Sequence, residues 1–294
     1  MADPGTGHSV SGTPHDEAGR SRLGDDLPLR AAAGVTLMSL ALGVAWFGGF
    51  PFLAFWVLAA AGVVWEWQRL VGGERVGARV GTGVLTLVAS SPFALHGAAA
   101  SALLVLLVGG ALTGLFADTP RRIWAGAGVV YAGALVVGLA LLRASPSYGL
   151  PAVLWLFAIV WGTDIAAYFG GRLIGGPKLW PSVSPGKTWS GALVGLLVGA
   201  LLGALIAAAV SPSGARLVPT LILGAAVSAF SQFGDLFESA MKRRAGVKDS
   251  SHLIPGHGGL MDRLDGFIAA TAITAAVAGA RSSGSWIAPG LFQW

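Results

Sequence analysis

Long apolar runs separated by short polar stretches occupy most of this 294-residue chain. They fall at roughly 31–50, 52–71, 80–95, 98–117, 123–142, 150–170, 189–210, 217–238 and 265–281. Most reach or approach the ~20 residues that a helix needs to cross the hydrocarbon core of a bilayer. Charged residues lie almost entirely between the runs, as expected where lipid expels charge. The pattern predicts an all-α, polytopic integral membrane protein with about nine transmembrane helices. It argues against a soluble α/β fold, whose charged residues would spread over a water-facing surface. Three regions are expected: a polar tail over 1–28, a first set of helices over 29–148, and a second set over 149–294. The tail is rich in Gly, Ser, Pro, Asp and Arg and has no apolar core, so it reads as disordered rather than as a signal peptide.

Composition refines this picture. Hydrophobic residues make up 54% of the chain, charged residues 11%, and mean hydropathy is +0.71. The 45 glycines, with abundant alanine, would weaken helices in water, but in lipid they let helix backbones approach closely. Such faces also make a homodimer a candidate assembly. The absence of cysteine excludes a disulfide framework and a thiolate metal site. A pI near 10.1 suits anionic lipid or phosphorylated substrates, although basic loops also serve as topology signals; nucleic acid is not an expected partner. For orientation, the path with residues 239–265 in the cytoplasm is read as placing the amino terminus outside. It assigns 14 Lys and Arg to the cytoplasm, Arg281 among them, and leaves Arg20, Arg22, Arg30, Arg143 and Arg216 outside.

Candidate chemistry concentrates between Ser239 and Asp265, where Lys242, Arg243, Arg244, Lys248, Asp249, Asp262, Arg263 and Asp265 crowd together with His252 and His257. Asp262 and Asp265 stand three apart and share a face at the start of the last run. Asp235 lies near the end of the preceding run, where a charge is costly without a partner, a cavity or a metal. These three carboxylates can hold Mg²⁺, which takes one or two carboxylates together with water and substrate phosphates. They can equally pair with Arg263, Lys242 or Arg243 in a structural network. Pro255-Gly256-His257-Gly258-Gly259 suits close backbone approach to phosphate, and also an ordinary turn before a helix. The basic residues Lys242 to Lys248 can likewise be topology determinants alone.

A second polar cluster lies upstream. Asp164, Tyr168 and Arg172 recur at i, i+4 and i+8, a polar stripe that can face a cavity. Ser184-Pro185-Gly186-Lys187-Thr188 offers hydroxyls and an ammonium at the next helix start, where an anion is favoured. Helix capping by Ser184 and Thr188 is the competing reading, and the stretch lacks the glycine spacing of a P-loop. Glu66, between Trp65 and Trp67, reads as structural or lipid-facing.

The chain resembles the phosphatidate cytidylyltransferases, or CDP-diacylglycerol synthases. Their signature is met at Ser239, Lys242, Arg243, Lys248, Asp249, Ser251, Pro255, His257, Gly258, Gly259, Asp262, Arg263 and Asp265. The resemblance extends upstream through Asp235, Asp164 to Tyr168 and Ser184 to Thr188, and so covers roughly 150–281. One departure is Ser190, where the family commonly carries Glu. The resemblance implies a catalytic region within 149–294, and a multi-pass protein of the cell (inner or plasma) membrane with its active site facing the cytoplasm. It implies CTP and phosphatidate as substrates, CDP-diacylglycerol and pyrophosphate as products, Mg²⁺ as cofactor and K⁺ as a candidate second cation. Under it, Asp235, Asp262 and Asp265 hold the metal, while Lys242, Arg243, Lys248 and Arg263 offset phosphate charge. Asp249 and His257 orient these groups or bind nucleotide. Asp164, Tyr168, Arg172, Ser184, Lys187, Thr188, Ser239, Gly258 and Gly259 form the substrate-binding set. A related enzyme acting on another lipid phosphate, and a cation or phosphate transporter, are the alternatives.

Overall fold

The computed structural model describes residues 34–211, 213–251, 253 and 258–294. The tail over 1–28, His252 of the polar segment, and Pro255 and His257 of the signature lie outside the described residues. The helices are α1 (Gly34–Phe47), α2 (Gly49–Val71), α3 (Val76–Leu95), α4 (Ala99–Leu115), α5 (Arg122–Arg143), α6 (Gly149–Ile174), α7 (Trp189–Val210), α8 (Leu217–Arg244), α9 (Met261–Arg281) and the short α10 (Pro289–Phe292). Seven of them are long and apolar enough to cross a membrane, whereas α1 and α4 are shorter. An all-α polytopic membrane protein is therefore the architecture, with seven clear spans.

The chain packs as its small residues dictate. On α7, Gly191, Gly195, Gly199 and Gly203 recur every four residues and are buried against α6 and α8. A Cβ at Gly191 would lie 2.6 Å from the Ala167 carbonyl oxygen, and one at Gly203 2.9 Å from Gly224 Cα. The opposite face carries Leu193, Leu197, Leu201 and Leu205, all exposed toward lipid. The two stripes set α7 between protein and bilayer. Helix α5 is the most enclosed span, and its Leu135, Leu139 and Leu142 meet the interior faces of its neighbours.

Several expectations are corrected. The eighth run continues as helix to Arg244, so Lys242, Arg243 and Arg244 occupy the last turn of α8 rather than a loop. Between α6 and α7 the chain forms an antiparallel hairpin, β1 (Lys178–Trp180) and β2 (Ser184–Thr188), that was not expected. The amino-terminal side is also revised. Gly34, Leu37 and Met38 of α1 line the same cavity as Asp262 and Asp265, so α1 begins at the end of the bundle that carries the polar segment. Six helices long and apolar enough to cross (α2, α3, α5, α6, α7 and α8) and the two shorter ones, α1 and α4, separate the two, an even count that agrees with a return to the same side. Arg281 closes α9 at the opposite end, hydrogen-bonded to the Gly290 carbonyl at 3.0 Å. Of the 16 described Lys and Arg, 13 then lie at the site end, and only Arg143, Arg216 and Arg281 at the other.

Candidate active site

The site grows from the crossing of α8 and α9. A Cβ at Gly234 would lie 2.5 Å from the Asp265 carbonyl oxygen, and one at Gly266 2.8 Å from that of Ser231. Only glycine allows this backbone contact, and it brings the residues beside it, Asp235 and Asp265, to one cavity. That cavity, about 460 Å³, is lined by Asp164, Asp235, Asp262, Arg263 and Asp265. Apolar side chains complete the lining, Phe55, Trp56, Phe157, Trp161 and Phe267 among them.

The hairpin delivers a cation to this cluster. Thr188 caps α7 by accepting a 3.2 Å hydrogen bond from the Gly191 amide, which fixes the neighbouring Lys187 at the helix start. Lys187 forms an ion pair with Asp235, whose other oxygen accepts from Ser239 Oγ at 3.5 Å. Arg243 donates to the Val183 carbonyl at 3.5 Å and ties the hairpin to α8. The short hydrogen bond from Ser190 Oγ to the Gly175 carbonyl holds the hairpin's base.

Asp262 is held from two sides. Its Oδ1 accepts from Lys242 Nζ at 2.5 Å, and Lys242 in turn lies 2.7 Å from Glu238. Its Oδ2 accepts from the Ser250 amide and hydroxyl, both at 3.1 Å, and from the Gly259 amide at 2.7 Å. Glu66 reaches the same loop from α2. It is fully buried rather than lipid-facing, and it accepts from Ser250 Oγ, Ser251 Oγ and the amides of Leu260 and Met261.

This pattern of motif and place can be set beside known proteins. Residues 28–280 match the family model described as the cytidylyltransferase family. The chain belongs to that family. Its similarity to the phosphatidate cytidylyltransferase of Brucella suis biovar 1 is 38% identity over 256 residues, covering 84% of this chain and 92% of the relative. The Pseudomonas aeruginosa protein of the same name is 39% identical over 268 residues, covering 85% and 96%. The Haemophilus influenzae one reaches 44%, but over 142 residues and about half of each chain.

Within this family member, the predicted residues separate by place. Asp164, Asp235, Asp262, Arg263 and Asp265 meet at the cavity, with Lys187 and Ser239 on Asp235. Lys242 does not line it and sits between two carboxylates. Tyr168 and Arg172 hydrogen-bond each other at 2.9 Å on an exposed face and do not join the cavity. Ser184 is half-buried in β2, and Thr188 is a cap. Lys248 and Asp249 are exposed after α8. A Cβ at Gly258, whose φ is +78°, would lie 3.7 Å from Asp249 Oδ1. Glu66, Glu238 and Ser250 were not singled out as site residues. The signal for both glutamates was a carboxylate inside an apolar helix, and Glu238 also precedes Lys242 by one helical turn.

A cation can be accommodated. Among the described residues no three of His, Cys, Asp and Glu form a ready-made cage. What the cavity offers is carboxylate oxygen from three helices beside open volume, the donor chemistry of a Mg²⁺ site completed by substrate phosphates.

Proposed function

We propose that the chain is a phosphatidate cytidylyltransferase of the bacterial inner membrane, acting at its cytoplasmic face. A phosphate oxygen of phosphatidate attacks the α-phosphorus of CTP. The bond from that phosphorus to the bridging oxygen breaks, pyrophosphate leaves, and CDP-diacylglycerol remains in the membrane. No covalent enzyme intermediate is required, so catalysis consists of positioning and charge neutralisation. The reading rests above all on one cavity whose lining combines four carboxylates and a guanidinium with aromatic side chains at one end of an apolar bundle. A lipid phosphate can enter such a site with its acyl chains still in the bilayer. The excess of Lys and Arg at this end supports its cytoplasmic assignment.

Asp235 and Asp265 would hold Mg²⁺, which supplies charge neutralisation across the phosphates when bound. Asp262, expected as a third ligand, already accepts four hydrogen bonds and serves chiefly to hold the loop. Lys187 neutralises Asp235 in this structure and stands where it can exchange that carboxylate for a substrate phosphate. Arg263, at the cavity wall, would take part of the pyrophosphate charge. A transporter would need polar residues along a path through the bilayer, whereas these cluster at one end.

The test is conversion of radiolabelled CTP to a chloroform-extractable CDP-lipid by purified protein in detergent. Product that requires both phosphatidate and Mg²⁺ is expected. No product from folded protein across several lipid phosphates would overturn the reading, and product from a different lipid phosphate would reassign the substrate.

A further inference from the structure

The carboxylate of Glu66 belongs to the amino-terminal half of the chain, yet every hydrogen bond described for it reaches the loop between α8 and α9. Oε1 accepts from Ser251 Oγ at 2.5 Å and from the Leu260 amide at 2.7 Å. Oε2 accepts from the Met261 amide at 2.6 Å and from Ser250 Oγ at 3.2 Å. The two amides belong to the first turn of α9, whose own N-cap position, Leu260, supplies no side-chain cap. Capping alone would need only those amides. The two serine hydroxyls come from the other flank of the loop, so one carboxylate gathers both flanks.

The base that carries this carboxylate is anchored to a second helix. The next two residues of α2 latch onto the start of α5: Trp67 Nε1 donates to the Trp124 carbonyl at 2.7 Å, and Gln68 Nε2 to that of Ala125 at 2.8 Å. Gly259 packs so closely that a Cβ there would lie 2.7 Å from Glu66 Oε1. Ser250 Oγ also lies 3.1 Å from Asp262 Oδ2, so its one proton is shared between the two carboxylates and a single hydroxyl links the Glu66 clamp to the cavity wall.

We propose that Glu66 is a positioning residue for the reaction: its carboxylate fixes the α8–α9 loop and, through Ser250, the placement of Asp262. Gln at this position keeps the size but turns an acceptor into a donor facing two other donors, so one arm of the clamp opens. The inference rests on the proposed activity, and the experiment separates the two. Purified full-length wild type, Glu66→Gln and Ser251→Ala are compared for kcat, for KM of CTP and phosphatidate, and for amide hydrogen exchange in peptides spanning 245–262. Folding is followed by size exclusion and thermal midpoint. For Glu66→Gln, kcat per folded protein falls about tenfold or more, as expected for losing one or two hydrogen bonds to a charged group. Exchange quickens at the loop but not in α5 or α6. Ser251→Ala moves both readouts the same way by a smaller factor. A merely structural role would lower yield or thermal midpoint and leave both readouts of the folded fraction unchanged, which would overturn the proposal. If Glu66→Gln does not fold, Ser251→Ala decides by the same criterion. A wild type that makes no CDP-lipid counts against the activity alone, because loop exchange still reports on the clamp.

Discussion

Lys242 is the residue whose removal tests the site's electrostatics most directly. Its ammonium lies 2.7 Å from Glu238 and 2.5 Å from Asp262, and the three side chains are only 12%, 1% and 7% exposed. Glu238 meets it as an ion pair, and neither Glu238 oxygen has a hydrogen-bond partner among the described residues. Lys242→Met removes the cation and strands that carboxylate. Breaking one side of a buried pair costs about 3–5 kcal/mol. For a chain of this size that corresponds to a fall of roughly 6–20 °C in thermal midpoint. Tryptophan fluorescence during heating in detergent measures it. Glu238→Leu added to Lys242→Met removes the stranded charge and restores most of the loss, because Asp262 keeps its donors from Ser250 and Gly259. A fall below about 2 °C for the single variant, or a double variant equal to the sum of the singles, would refute the reasoning.

Asp265→Asn is expected to lower turnover about 100-fold or more while the protein stays folded, since a cavity-lining carboxylate is lost without a stranded partner; the CDP-lipid assay with a thermal scan checks this. Lys187→Ala should raise the KM for a phosphate-bearing substrate about tenfold, consistent with losing one ionic phosphate contact, as steady-state kinetics varying CTP and phosphatidate separately would detect. Gly234→Ala forces a methyl against the Asp265 carbonyl and should lower both thermal midpoint and turnover, while Gly77→Ala, with open space around its Cα, should be neutral or slightly stabilising.

The apolar runs gave the helices away because lipid admits little else, and Asp235, Asp262 and Asp265 stood out because carboxylates in such runs need a reason. Glu66 carried the same signal but reads in sequence only as structural or lipid-facing, since its partners lie 184 to 195 residues away and nothing near it in sequence announces them. The hairpin escaped for another reason. Its strands have three and five residues, the second contains both Pro185 and Gly186, and no alternation can show over such lengths. Thr188 was legible as a cap because that rule is local. The side of the amino terminus depends on the number of crossings, and the position of Gly34 at the cavity that the aspartates line corrects it.

The charges at the cavity explain why these elements must converge. Asp164, Asp235, Asp262 and Asp265 would together repel a triphosphate and a lipid phosphate. Two of the four are already offset within the protein, Asp235 by Lys187 from the hairpin and Asp262 by Lys242 from α8. Asp164 and Asp265 remain, lining the same cavity as Arg263. On the proposed reading, Asp235 and Asp265 would hold the metal, whose positive charge would replace that of Lys187 at Asp235 and leave Lys187 for phosphate. The exchange works only if Asp262 stays still while its neighbours change partners. The short bonds from Lys242, Ser250 and Gly259 hold it in place, and Glu66, reaching in from the other half of the molecule, holds the loop that supplies two of those three donors.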